Sequence, residues 1–178
     1  MKKLIFCICC AFLMNFVVSE AIDDSKYNDS TTLEFGLKDS KGNEYSLYHN
    51  VNNIKGFDSS NFEIVAQWKY AMWVKKEDGE FSVTWNNTNG AIVILKTNNS
   101  AYTTRRGIKV GDSISKIKEV YKDCSLWQTN YNGNVIIGFG KANMLEEEMM
   151  TLAFWTERGF VTSIEIVVGE NESWINRN

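Results

Sequence analysis

The sequence predicts an α+β protein of two pseudo-repeats, each a short helix packed on an antiparallel sheet. Three observations carry that expectation. Residues 80–97 (EFSVTWNNTNGAIVILKT) and 150–168 (MTLAFWTERGFVTSIEIVV) alternate apolar and polar side chains on either side of a Gly-bearing loop, the pattern of a β-hairpin. Aligning Gly90 with Gly159 sets Val83 on Leu152, Trp85 on Phe154, Ile92 on Val161 and Leu95 on Ile164, like on like. Upstream, FGLKDS (35–40) precedes RGIKVGDS (106–113) by nearly the same offset, so each half would open on a turn and helix and close on a hairpin.

Taken in chain order, Lys2 and Lys3 lead an apolar run from Leu4 to Val18, and Ser19 and Ala21 supply the small residues of a cleavage site. That is the three-part pattern of a secretory signal peptide over 1–21, too short for a spanning helix of about 20 apolar residues. Residues 22–32 are polar and acidic without a period and read as a flexible tether. One globular domain follows over 33–178, its units about 33–100 and 101–168. The first unit would hold a helix over Ser46–Ile54, a strand over 62–75 and the first hairpin. The second is written more clearly. Gly107 reads as a close approach of the incoming strand to the helix, and Gly111 permits a tight turn. Asp112 or Ser113 can then cap a helix whose Ile114, Ile117 and Tyr121 share one face, while Lys116, Lys118 and Lys122 take the other. A strand over 134–139 and the second hairpin complete the unit.

The stretch RGIKVGDSISKIKEVY, followed by LAFWTERGFVTSIEI, resembles a family of small exported bacterial α/β domains. Its members include β-lactamase inhibitor protein and the small lipoprotein of the outer-membrane barrel-assembly machinery. The resemblance implies a secreted α+β binding domain with units in tandem, and it implies no particular partner.

Composition narrows the function further. The chain carries 19 Lys plus Arg against 22 Asp plus Glu, and no basic run exceeds two residues, so it lacks the positive stripe that phosphate contacts need. Nucleic acid is therefore not an expected partner. Once Cys7, Cys9 and Cys10 leave with the leader, Cys124 stands alone and no internal disulfide can form. One histidine, His49, and one cysteine cannot build a metal site, and a Cys/His nucleophile pair would need those two to converge with a third, orienting group. The expectation is no catalytic residue, no metal, no cofactor and no enzyme. Glu146–Glu148 reads as a solvated run. The aromatics remain. Trp85 is in phase with Val83, but Trp68 and Trp73 differ in parity, and Trp155 is out of phase with Leu152 and Phe154. Trp68, Trp73 and Trp155 are thus the candidate binding residues, suited to a protein partner or to a sugar ring. The expected role is a secreted or periplasmic, non-enzymatic binding module. The alternative is a cell-envelope protein that binds carbohydrate or hydrolyses glycosides with paired carboxylates.

Overall fold

The computed structural model describes residues 34–54, 63–64, 70–75, 78–132, 134–143 and 148–169. The predicted leader, the tether, Trp68, Glu146, Glu147 and Trp174 lie outside them. Among the described residues the strands are β1 (Gly36–Lys38), β2 (Glu44–Ser46), β3 (Glu63–Ile64), β4 (Tyr70–Lys75), β5 (Phe81–Asn86) and β6 (Ile92–Thr97). They continue as β7 (Thr103–Thr104), β8 (Trp127–Tyr131), β9 (Asn134–Asn143), β10 (Glu148–Glu157) and β11 (Phe160–Gly169). One α-helix, α1 (Ile114–Val120), and one 3-10 turn (Val51–Asn53) complete the set.

Eight strands form one antiparallel sheet in the order β3-β4-β5-β6-β11-β10-β9-β8, and β2-β1-β7 form a second, small sheet. The large sheet is two four-stranded meanders that meet edge to edge, where Leu95 pairs with Ile166 and Thr97 with Ile164. Both predicted hairpins are present. The second turns through Arg158 and Gly159, both at positive φ, the conformation that lets a two-residue turn match the twist of its strands.

The expected α+β architecture of two pseudo-repeats, each with a helix on its sheet, is overturned: the protein is mostly β, and among the described residues one α-helix serves one side of one large sheet. The cause lies at Tyr48. Its φ of 64° is left-handed, and its N–H donates to Ile92 O while Ile92 N–H donates back to His49 O. The backbone at Tyr48, His49 and Val51 is tied to Gly90 and Ile92, so only a three-residue 3-10 turn forms, capped by the Asn50 side chain, which accepts from Asn52 N–H. The expected strand over 62–75 is also corrected: β3 and β4 pair antiparallel with each other, Ile64 opposite Trp73.

The second opening follows its sequence closely. Ser113 is the N-cap, its Oγ accepting from Lys116 N–H at 3.2 Å. Asp112 instead accepts from Lys109 N–H and from Lys116 Nζ, each at 2.9 Å, and fixes the turn. Gly107 and Gly111 stand at φ of 80° and 93°, which a side chain disfavours. A Cβ built at Gly107 meets nothing within 4 Å, so that residue serves the backbone conformation and not a close approach. The hairpin tip then clamps the turn: Ile114 N–H donates to Gly159 O and Gly111 N–H to Val161 O. A helix of seven residues cannot persist alone, and burial of Ile117 and Tyr121 against the sheet holds it.

The core lies on one face of the large sheet. Phe81, Val83, Leu95, Phe139, Leu152, Phe154, Ile164 and Ile166 point into it. Phe35, Leu37, Tyr45, Leu47, Val51, Ile108, Ile117 and Tyr121 cover it from the small sheet, the 3-10 turn and α1.

Candidate binding surface

Because side chains alternate along a strand, the register defines the opposite, outer face. Ile166 and Ile164 are core residues, so Glu165 and Ser163 face outward, and so do their partners Ala153 and Trp155. Across β9 the same face carries Ile136, opposite Trp155, and Gly138, opposite Ala153. Across β8 it carries Trp127, Thr129 and Tyr131. Every described element outside the large sheet packs on the core side, so no described element crosses this one.

The outer face is organised around Trp155. Its indole Nε1 donates to Glu165 Oε2 at 3.1 Å, and the Tyr131 ring meets it edge to face, centroids 5.9 Å apart at 87°. Ile136 beneath is only 5 % exposed yet belongs to no part of the main core. Trp127 lies across Gly138: a Cβ built there would come within 2.7 Å of the indole and would also collide with Leu152 O. The missing side chain at Gly138 is what lets Trp127 lie flat on the sheet. Trp127, Tyr131 and Trp155 are each half-buried, which exposes aromatic edges while fixing the rings. The Ser163 hydroxyl, enclosed beside them, has no hydrogen-bond partner among the described residues.

Of the three candidate residues, then, Trp155 sits in this cluster, Trp73 lies in β4 with its Cα opposite Val83, and Trp68 lies outside the described residues. Trp127 and Tyr131 were not singled out from the sequence. Their signal is the alternation in WQTNY, with burial half-buried, exposed, half-buried, exposed, half-buried.

The Arg106 cluster ties distant segments together. Arg106 Nε donates to both Glu34 carboxylate oxygens at 3.1 Å, its Nη1 to Val120 O at 3.2 Å, and both Nη atoms to Asp123. Its guanidinium also covers the Tyr121 ring at 5.0 Å. Cys124 follows this cluster. Burial pushes its thiol pKa up, the wrong direction for a nucleophilic thiolate. The His49 carbonyl accepts from Ile92 N–H. Among the described residues no group of three or more His, Cys, Asp or Glu is placed to hold a metal ion, and no helix is long and apolar enough to cross a membrane.

No family model matches the chain, and no curated protein matches it. Among solved structures it is similar to an extracellular protein containing an SCP domain from Bacillus anthracis strain Ames. That likeness has a TM-score of 0.40 at 11% identity and covers 72% of this chain and 48% of the other, so the chain spans about half the length of that protein.

Proposed function

We propose that the chain is an exported, non-enzymatic binding module whose outer sheet face docks another protein. The observation that supports this reading is the aromatic cluster of Trp127, Tyr131 and Trp155 on a face that no described element covers. Rigid, half-exposed aromatics supply large contact area at little entropic cost, which is why interface anchors are drawn from them. Export follows from the leader-like residues 1–21. The glycoside-hydrolysing form of the alternative needs two carboxylates flanking a cleft. On this face Glu165 is engaged by Trp155, and no second described carboxylate stands beside it.

The test is a pull-down of the purified chain from envelope and host extracts, run beside the double variant Tyr131→Ser/Trp155→Ser. Loss of two anchors should weaken capture of a specific protein by about 30-fold or more, with the variant still folded by circular dichroism at the temperature of the assay. A partner retained equally by wild type and variant, or capture of glycans alone, would overturn the reading.

A further inference from the structure

The large sheet ends at two edges, and they differ. At one, β3 contributes two residues. At the other, β8 presents five, and no described residue pairs with its outer side. Sheet edges are normally blunted by Lys, Glu, Pro, a bulge or a covering element, because unpaired N–H and C=O groups invite another strand. β8, Trp-Gln-Thr-Asn-Tyr, carries no charge and no proline, its pairing with β9 is unbroken from Trp127–Gly138 to Tyr131–Asn134, and no described element covers its outer side.

The strand is also chemically palindromic about Thr129, with an amide on each side of the threonine and an aromatic beyond each amide. We propose that two copies of the chain join through the free edges of β8, antiparallel, with the two-fold axis at Thr129. Residues directly opposite in an antiparallel pair share a face, and the outer set 127, 129, 131 is odd-numbered, so a symmetric register must centre on a residue. Centring on Thr129 engages the whole strand. Trp127 of one copy then stands opposite Tyr131 of the other on the outer face. Gln128 stands opposite Asn130 on the inner face, and the two Thr129 side chains meet at the axis. Aromatic pairs and Thr–Thr pairs are favourable cross-strand neighbours, and no like charges are brought together. Each aromatic is already held in place, Trp127 over Gly138 and Tyr131 against Trp155, so little ordering remains to be done on association. The outer faces of the two copies become one surface, with each copy completing the aromatic row of the other. Five-residue strands make a small interface, so the dimer is a weak, concentration-dependent one.

Gln128 and Asn130 are exposed, so charges there leave the monomer intact and act only across the edge. The experiment is sedimentation velocity on the purified full chain over a concentration series, with Gln128→Lys/Asn130→Lys, with Gln128→Glu/Asn130→Glu, and with the two variants mixed in equal amounts. The wild type should shift from monomer to dimer as concentration rises. Each variant alone places like charges opposite one another twice and should associate about tenfold more weakly or worse, while the mixture pairs Lys with Glu and regains the dimer. A wild type that stays monomeric throughout, variants that associate like wild type, or a mixture no better than its components would each overturn the proposal.

Discussion

Arg106 and Asp112 show how single side chains tie distant segments together. The Arg106 fork spans Glu34, the last carbonyl of α1 and Asp123, contacts that a lysine's point charge cannot reproduce together. Its bonds to Asp123 hold that carboxyl below the ordinary carboxylate range. At Asp112 burial pushes the carboxyl up, but the Lys109 N–H and the Lys116 ammonium outweigh it, and the net direction is down. Both native pKa values are therefore depressed relative to the unfolded chain, where Asp titrates near about 3.9. The stability they contribute is present above that value and is lost as pH falls through the lower, native ones. Melting temperature followed from pH 7 downward should accordingly drop most steeply below about pH 4. The variant Asp112→Asn/Asp123→Asn should start lower at neutral pH and fall less steeply in acid. Parallel curves for the two proteins would show that the acid sensitivity resides elsewhere.

Elements differ in how much of themselves the sequence displays. β9 is instructive, because two of its glycines face outward yet serve different ends. At Gly138 an added Cβ would meet backbone at Leu152 O and the Trp127 ring at 2.7 Å, and neither can yield. At Gly140 the nearest atoms are the flexible Met149 methyl and Met150 O, both at 3.2 Å. Gly138→Ala should thus cost about 1–3 kcal/mol by overpacking, clearly more than Gly140→Ala, as urea melts would show. Equal costs would mean that Trp127 does not rest on Gly138. The hairpins β5–β6 and β10–β11, the turn at Gly111 and the cap at Ser113 were legible because each is fixed by neighbours within a few residues. Trp155 was legible as an outward residue because its parity opposes Phe154. The three-residue strands β1 and β2 carry no period to read. The supposed helix over 46–54 has reasonable local composition, but its backbone is claimed by Ile92, far along the chain. β8 was missed because its alternation is short and inverted: Gln128 and Asn130 take the core-side positions, and only Trp127 and Tyr131 at its ends are aromatic.

For the whole molecule, the question is whether the two meanders behave as one body. They touch through only four paired positions, Ile94 to Thr97 against Ile164 to Val167, which by hydrogen bonding alone is a slender seam. Packing argues otherwise. Leu95 and Ile166 face each other at that seam, both completely buried, and the cluster containing them runs from Phe81 and Val83 in one meander to Phe139 and Phe154 in the other. Tyr45 and Tyr102 extend it under β5, the Tyr102 ring stacked on Phe81 at 4.0 Å, while Tyr121 from α1 reaches both Phe139 and Phe154. No polar layer separates the halves, so neither can open without exposing the other's core. Leu95→Ala removes a fully buried side chain at the joint and should destabilise the protein by about 2–5 kcal/mol. Because the core is continuous, that loss should move a single transition rather than split it. Far-ultraviolet circular dichroism and tryptophan fluorescence should report the same midpoint in the variant as they do in the wild type. Two separated midpoints in Leu95→Ala would instead identify the meanders as independently folding halves, held together by the seam alone.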